Sequence, residues 1–314
     1  MRRTFTFALV LALATTAHAA TDTIRRGFNV ADGGTLHLDA GVGSITIVAG
    51  GTGVAFEVIR KSSDDDQLRE HQIKFSQEGN DVIVESDFEH SWFHWFHNYD
   101  VQWNIRVPAH YNVDVHTSGG SIDLGDLGGK VDADTSGGWI KTGRLGGAAT
   151  LKSSGGSISV NGARGNVIAH TSGGSITIGD TAGPVDARTS GGSITITRTD
   201  GDVLARTSGG SIRIEDAAGT VNASTSGGSI QARLSRQPRG DSRLETSGGG
   251  VTIALGSEVA VNLDAHASGG GVHSEVPVTI VGDQGEDSIH GSINGGGPKL
   301  VLRSSGGGIR VKPM

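Results

Sequence analysis

Apolar and polar residues alternate in short runs along most of this chain. In one representative stretch, Val185 and Ala187 precede Thr189, and Ile194 and Ile196 follow a pair of glycines. Alternation with a period of two, carried by β-branched residues, predicts half-buried β-strands. The density of glycine and the lack of a 3.6-residue period argue against helices. Each unit is therefore predicted to be two short strands joined by a bend at the glycine pair and by a second turn.

The same unit returns every 18 residues. The motif Thr-Ser-Gly-Gly-Ser-Ile, or a close variant, begins at Thr117, Thr135, Ser153, Thr171, Thr189, Thr207 and Thr225. Related motifs with a third glycine begin at Thr246, Ala267 and Ser304. A fixed period near 20 residues is typical of stacked repeat arrays. The sequence predicts an all-β, single-chain β-solenoid of the parallel β-helix type, with 18-residue coils and either a two-sided or a triangular cross-section.

One coil of this composition cannot fold alone. Burying an Ile or Val contributes roughly 1.5–3 kcal/mol, whereas ordering each residue costs about 1–2 kcal/mol of backbone entropy. Stacked coils share backbone hydrogen bonds and apolar columns with both neighbours. The glycine pairs are expected to serve this stacking by adopting positive φ and by letting successive coils approach closely.

The periodic array is predicted to occupy residues 117–234. Residues 20–116 are expected to form an N-terminal β cap with the first irregular coils, and residues 235–314 irregular C-terminal coils and a cap, because open solenoid ends invite edge-to-edge association. Within the C-terminal part, Ile309 and Val311 are expected to close the stack. Two further strand predictions concern the N-terminal part: an early coil at Gly43-Ser-Ile-Thr-Ile47, and a half-buried strand with Val101, Trp103, Ile105 and Val107 facing inward.

The first 19 residues have the composition of a secretory signal peptide. Arg2 and Arg3 precede an apolar run from Phe5 to Ala14, and Ala17-His18-Ala19 fits the small-x-small cleavage pattern. The protein is therefore predicted to be exported, to the periplasm or to the cell surface and medium. No other apolar stretch approaches the ~20 residues needed to span a bilayer, so no membrane span is predicted.

Charge and cysteine content exclude some classes of function. Without Arg2 and Arg3 the chain has 24 basic and 33 acidic residues, a net charge of −9, which argues against nucleic-acid binding through a general electrostatic field. The absence of cysteine excludes a disulfide framework and thiol catalysis. No phosphate-binding, dinucleotide-binding or nucleophile-elbow motif is present.

Several of these motifs together resemble a known family. They are Gly43-Ser-Ile-Thr-Ile47, Val107-Pro108 before the array, the reiterated Ser-Gly-Gly-Ser-Ile, and a final Ile293-Asn-Gly-Gly-Gly, Leu300-Val-Leu and Ser-Gly-Gly-Gly-Ile309. The pattern resembles the bacterial β-strand-repeat family labelled putative adhesin, a domain of unknown function, over nearly all of the chain after residue 19. The resemblance implies a β-solenoid in exported or membrane-proximal proteins and implies no catalytic residue. The chain departs from the family in its unusually uniform repeats and in an inserted aromatic segment.

That aromatic segment is the most unusual local feature. Trp92, Phe93, Trp95 and Phe96 lie close together between two predicted strands. One interpretation is that these rings cover the N-terminal end of the solenoid, since aromatic side chains bury large areas. A second is a contact loop for a protein, glycan or lipid surface, because exposed apolar clusters mark interaction sites. A third is a metal site made by the interleaved His90, His94 and His97.

Two outward-facing rows are predicted on the coils. One contains the pairs Ser157 and Ser159, Ser175 and Thr177, and Ser193 and Thr195, interrupted at the Thr177 position of other coils by Asp123, Lys141, Arg213 and Gln231. The other runs Asp134, Lys152, His170, Arg188 and Arg206, which we interpret as the mixed charges ordinary in a sheet.

Paired carboxylates raise one enzymatic alternative. Asp132 and Asp134, or Asp123 and Asp126, have the residue types used in glycoside cleavage. Between 117 and 234, however, no predicted loop is long enough to wall a cleft. The sequence therefore predicts no enzyme, and no catalytic, cofactor-binding or metal-binding residue. The preferred function is an exported adhesin-like scaffold that binds an unknown surface, glycan or protein at the cell envelope, with a carbohydrate-acting β-helix enzyme as the alternative.

Overall fold

The computed structural model describes residues 20–63, 65–88, 99–282 and 285–314. In these residues the strands form two long sheets, one of 14 and one of 15 strands. Each repeat contributes one strand to each sheet, so the solenoid is two-sided. The predicted all-β solenoid is confirmed.

The described part of the chain before the array contains seven strands and one short helix, α1 (Asp65–Glu70). The strands are β1 (Ala20–Phe28), β2 (Thr35–Asp39), β3 (Ser44–Ala49), β4 (Val54–Ser62), β5 (His71–Glu78), β6 (Asp81–Phe88) and β7 (Tyr99–Val107). The array contains β8 (Asn112–Thr117), β9 (Ile122–Leu124), β10 (Val131–Thr135), β11 (Ile140–Leu145), β12 (Ala149–Ser153), β13 (Ile158–Ala163), β14 (Val167–Thr171), β15 (Ile176–Thr181), β16 (Val185–Arg188), β17 (Ile194–Thr199), β18 (Val203–Thr207), β19 (Ile212–Ala217), β20 (Val221–Thr225) and β21 (Ile230–Leu234). The remaining strands are β22 (Ser242–Thr246), β23 (Val251–Leu255), β24 (Val261–Ala267), β25 (Val272–Ser274), β26 (Thr279–Ile280), β27 (Ser288–Ile293), β28 (Lys299–Ser304) and β29 (Ile309–Pro313).

The array strands are parallel, and residues pair with their equivalents 18 positions away, apart from a register shift between β19 and β21 after Ile214. Ala133 of β10, for example, aligns with Val115 of β8 and with Leu151 of β12. Like side chains therefore stack in columns between the two sheets. The isoleucine that follows each glycine pair forms one such column and is at most 1% exposed throughout the array: Ile122, Ile140, Ile158, Ile176, Ile194, Ile212 and Ile230. These columns form one continuous hydrophobic core along the solenoid axis.

The glycine pairs allow close stacking but not positive φ. A Cβ atom built on Gly138 would lie 2.2 Å from the carbonyl oxygen of Gly120 in the preceding coil, and one on Gly156 would lie 2.0 Å from the Gly138 oxygen. The expected close approach is thus confirmed. The expectation of positive φ is wrong, because the positive-φ glycines of the described residues, such as Gly43 and Gly296, lie outside the repeat bends.

The N-terminal part contains a coil next to the array and antiparallel strands farther from it. β3 pairs in parallel with β9, aligning Ile45 with Ile122, as predicted for an early coil. The predicted strand at Val101–Val107 is β7, which pairs in parallel with β3 and buries Trp103 completely. Beyond it, β4 and β1 continue the first sheet in antiparallel order, while β6 and β5 extend the second sheet beyond β2.

Three phenylalanine rings pack together in this N-terminal cap. Phe56 lies 6.0 Å from Phe28 and 5.3 Å from Phe75, between ring centroids, with both pairs edge to face. Such pairs are favourable beyond the area that they bury. Aromatic packing therefore does occur in the N-terminal cap, but through residues that the sequence pattern did not single out.

The C-terminal coil is inserted between two earlier ones. The sheet orders run β22-β28-β24 and β23-β29-β25, so the coil formed by β28 and β29 lies inside the coil formed by β24 and β25. The expectation that Ile309 and Val311 close the stack is therefore wrong. Beyond β24, the antiparallel strands β27 and β26 complete the second sheet.

One hydroxyl group distinguishes the two C-terminal coils. Ser304 Oγ in β28 donates to the carbonyl oxygen of Gly249 at 2.7 Å, as the equivalent Thr or Ser does throughout the array. Ala267 occupies the same motif position in β24 and has no hydroxyl to donate. The outer coil therefore makes no side-chain hydroxyl bond of this kind to the coil on which it stacks.

Candidate binding groove

The first residue of each repeat motif points inward and ties one bend to the next. Thr189 Oγ1 donates to the Gly174 carbonyl of the preceding coil at 2.7 Å and accepts from the Gly192 amide of its own bend at 3.3 Å. The same pair of bonds recurs at Thr135, Ser153, Thr171, Thr207, Thr225 and Thr246. This buried ladder was not predicted. It holds every bend in one geometry, so that the next residue of the motif always points outward.

That outward residue is a serine, and it lines a groove with a second row of side chains. Ser154, Ser172, Ser190 and Ser208 are exposed at successive bends. Two positions earlier in each coil lie the outward residues Lys152, His170, Arg188 and Arg206. Together these rows line an open groove of about 600 Å³ that runs from Asp134 to Ser226.

The charges along this groove are segregated by sign. Pairing aligns Asp134 with Lys152, Lys152 with His170, His170 with Arg188, and Arg188 with Arg206. Opposite charges are neighbours only at Asp134 and Lys152. The interpretation of this row as ordinary mixed sheet charge fails at the step from Arg188 to Arg206, where two like charges are neighbours. Like charges on adjacent strands oppose folding, so stability does not account for this step of the row.

The opposite sheet shows what stabilising charge placement looks like in this solenoid. Asp180 of β15 aligns with Arg198 of β17, and Arg198 Nε lies 3.7 Å from an oxygen of Asp216 in β19. Here the signs alternate from one coil to the next. In the groove, by contrast, the aligned arginines Arg188 and Arg206 carry the same sign.

One carboxylate organises the middle of the basic row. Arg188 donates through Nε and Nη2 to both oxygens of Asp186, at 2.8 Å each, and His170 Nε2 lies 3.3 Å from Asp186 Oδ1. Within the described part of the chain, Lys152 and Arg206 form no ion pair with any carboxylate. The groove therefore has a neutralised centre and two cations available to a ligand.

The predicted hydroxyl row lies on the other sheet and is short. Register aligns Ser159, Thr177 and Thr195, with Lys141 at one end and Arg213 at the other. The outward serines after the glycine pairs are used in stacking, since Ser175 Oγ accepts from the Ser193 amide at 3.2 Å. The flat hydroxyl area is thus three coils long, as the interruptions in the sequence predict.

The carboxylate pairs of the enzymatic alternative lie on open surface. Asp132 and Asp134 point outward from the same face of β10, and burial followed by repulsion from Asp114 raises the pKa of Asp132. Asp126 Oδ1 accepts from the Arg144 backbone amide at 2.7 Å and so serves the turn between coils. In the array described here, no long loop stands beside either pair to form a cleft.

A buried polar cluster joins strands of the N-terminal cap. His71 Nε2 lies 2.6 Å from Ser86 Oγ, and its Nδ1 lies 2.5 Å from the Tyr99 hydroxyl. Arg60 donates to the His71 carbonyl at 2.8 Å and pairs with Asp22. Burial, and then the Arg60 charge, lowers the pKa of His71 to about 4, and burial raises the pKa of Tyr99. No sequence motif marks these residues, because the strands that carry them are far apart along the chain.

Some predicted features lie outside the described residues. The aromatic segment with Trp92, Phe93, Trp95 and Phe96, its three histidines, and the predicted signal peptide all do so. Among the residues that are described, no group of three or more His, Asp or Glu side chains is arranged to hold a metal. The same residues contain no helix of the length and hydrophobicity that crossing a bilayer requires.

These features define the class of protein as a two-sided β-solenoid with antiparallel strands at both ends. The model of the family described as Toastrack DUF4097 matches residues 34–312, so the chain belongs to that family. No curated protein matches the chain.

Several solved structures are similar over nearly their whole length. They include a putative adhesin from Parabacteroides merdae (14% identity, 93% of this chain and 95% of that chain, TM-score 0.39) and one from Bacteroides fragilis (12%, 93% and 97%, 0.37). A protein described as a putative lipid binding protein, from Parabacteroides distasonis, is 11% identical over 92% of this chain and 96% of its own, with a TM-score of 0.34. Likeness at this level carries no functional argument.

Proposed function

We propose that this protein is a non-catalytic, adhesin-like scaffold that is exported to the cell envelope and binds an extended partner along the side of its solenoid. The carrying observation is the open groove that repeats the same pair of side-chain positions over several coils. An enzyme needs a concave site that surrounds its substrate, whereas repeated equivalent positions on an open surface suit an extended ligand. In this proposal residues 117–234 provide the binding array, and residues 20–116 and 235–314 cover its ends.

Export is supported by the sequence of residues 1–19. Their basic start, apolar run and small-residue cleavage pattern are those of a secretory signal. The proposal places the mature protein in the periplasm or on the cell surface. The presence of a shortened mature form in the periplasmic, surface or medium fraction supports this placement, and retention of the full-length chain in the cytoplasm contradicts it.

A single pair of assays separates the scaffold from the enzymatic alternative. Purified protein that starts at residue 20 is applied to an array of immobilised glycans, and the same preparation is incubated with acidic and neutral polysaccharides. Retention on the array without release of oligosaccharides supports the scaffold. Released oligosaccharides, abolished by Asp132→Asn with Asp134→Asn, would instead establish a carbohydrate-acting enzyme.

The aromatic segment supplies a second proposed contact. Replacing Trp92, Phe93, Trp95 and Phe96 with Ser separates its two interpretations. Intact folding with weakened binding supports a contact loop, whereas loss of the folded state supports a role in covering the end of the solenoid.

A further inference from the structure

Building on the proposed scaffold function, we infer that the groove binds a linear anionic polysaccharide, with Lys152, Arg188 and Arg206 contacting its acidic groups and the serines at the bends contacting its hydroxyls. Four features of the groove support this binding: the register of the basic row, the residues at its ends, the ion pairing within it and the composition of the groove lining.

The register gives the groove a regular charge spacing. Coils stack at ~4.8 Å, so the step from Lys152 to Arg206, three coils away, covers about 14 Å. One coil is similar in height to one sugar ring of an extended polysaccharide. A polymer that lies along the axis therefore meets an equivalent set of side chains at each sugar unit.

The ends of the basic row limit its length. Asp134 precedes Lys152, while Ser224 and then Glu245 follow Arg206 in the aligned positions. A negatively charged polymer is attracted to the four coils between these ends and is repelled by the carboxylates beyond them. The structure thus predicts recognition of an internal stretch of about four sugar units.

The pairing within the row offsets part of the repulsion between its basic side chains. Asp186 accepts both Arg188 nitrogens and lies beside His170, so it offsets repulsion at the centre. Lys152 and Arg206 remain exposed at either side of this pair. A ligand carboxylate or sulfate can bind the remaining donors of Arg188, because an arginine presents more than one donor edge.

Composition favours a polysaccharide over a nucleic acid. Binding of single strands relies on aromatic rings that stack on bases. The residues that line the groove include no Trp, Tyr or Phe, and many of them are Ser or Thr, which suit sugar hydroxyls.

The test measures binding of protein starting at residue 20 to polygalacturonate, dextran sulfate, neutral dextran and single-stranded DNA. We expect binding to the first two polymers, weakened by added salt as screening requires, and none to neutral dextran. The ratio of the Kd values for the two acidic polymers shows whether the groove prefers carboxylate or sulfate groups. Equal or tighter binding of DNA, or binding of neutral dextran alone, would overturn the inference while leaving the scaffold proposal intact.

Charge variants assign the binding to this groove. Lys152→Gln with Arg206→Gln is expected to raise the Kd for the acidic polymer about tenfold, from the loss of two exposed charge contacts. The matched control, Lys141→Gln with Arg213→Gln, removes the same charge from exposed positions on the opposite sheet and should change the Kd less than twofold. Equal effects of the two double variants would overturn the assignment.

Asp186→Asn gives a change in the opposite direction. It removes the carboxylate that competes with the ligand, and it should tighten polymer binding about threefold. Far-ultraviolet circular dichroism and thermal unfolding of each variant check that the fold is retained. Weaker binding of a folded Asp186→Asn protein would show that Asp186 positions a binding group rather than competing with the ligand, and would contradict the inference.

Discussion

At the scale of single residues, the second glycine of each motif determines how closely two coils approach. A methyl group at Gly138 would lie 2.2 Å from a backbone oxygen of the preceding coil, which cannot move without disturbing the stack. At the neighbouring Gly137 the nearest atom would be 3.4 Å away, an ordinary van der Waals contact. Two adjacent glycines in one bend thus have different reasons to be present.

This difference gives a matched pair of substitutions. Gly138→Ala should lower the free energy of unfolding by about 2–4 kcal/mol, a large effect of the kind caused by overpacking, and Gly137→Ala by less than about 1 kcal/mol. Chemical denaturation of both variants measures the difference. Similar losses for the two would show that backbone conformation, rather than contact between coils, requires the glycines.

His71 makes the stability of the fold depend on pH. Its pKa in the folded state is about 4, below its ordinary value of 6.5, so the unfolded chain binds a proton more readily than the folded one. The contribution of neutral His71 to stability is therefore complete above pH 6.5 and is lost as pH falls from 6.5 towards 4. The charged and titratable groups around it are Arg60, Asp22, Asp87 and Tyr99.

The predicted loss is measurable against a variant. From pH 6.5 to 4 the wild type should lose about 2–3 kcal/mol of unfolding free energy through this residue, and His71→Gln should lack that part of the slope. His116→Gln, at an exposed position of β8, is the control and should keep the wild-type slope. Identical slopes for the wild type and His71→Gln would contradict the assignment.

At the scale of elements, the sequence predicts the strands well because each repeat carries its own period of two. The bend residue Thr189 shows the limit of this reasoning. The alternation with Val185 and Ala187 places Thr189 on the inward face, but it gives no sign that its hydroxyl is bonded to the preceding coil. The basic row shows a second limit, because the 18-residue period does not reveal that Asp186 pairs with both His170 and Arg188.

The order of the C-terminal coils could not be predicted from local pattern. The motifs at Ala267 and Ser304 differ by little more than one hydroxyl, and both predict the same two strands. Which coil lies inside becomes clear only from the strand pairing, in which β28 pairs with both β22 and β24. The order of coils is hard to predict in other repeat proteins for the same reason, because equivalent coils present nearly equivalent edges.

Engineered cysteines test this order directly, because the chain has no cysteine of its own. Arg303 aligns with Glu245 on one side and with His266 on the other. Cysteines at 245 and 303, or at 303 and 266, should form a disulfide upon oxidation, as aligned positions on adjacent strands lie within the ~4.4–6.8 Å range of Cα separations that disulfides need.

The control pair places cysteines at 245 and 266, which the inserted coil holds two strands apart. It should not form an intramolecular disulfide. Mass spectrometry of peptides from the oxidised, folded protein distinguishes the three pairs. A disulfide between 245 and 266 would mean that the coils stack in chain order.

At the scale of the whole molecule, stability is a sum over coils and their interfaces. Removing one interior coil should therefore shorten the stack without changing its fold, provided that the cut preserves the register. The ends differ from the interior, since the antiparallel strands β1, β4 and β5 at one end and β26 and β27 at the other extend the sheets beyond the coils. Loss of an end is expected to expose strand edges and to cause association between molecules.

The equivalence of the 18-residue coils is the central feature of this solenoid, and a pair of deletions tests it. Deleting residues 207–224 joins Arg206 to Thr225 and restores the repeat, whereas deleting residues 207–215 removes half a coil. Circular dichroism and thermal unfolding should show that the first protein remains a cooperatively folded β protein and that the second loses its fold or aggregates. Unfolding of the whole-coil deletion, or equal stability of the two, would contradict the stacked arrangement.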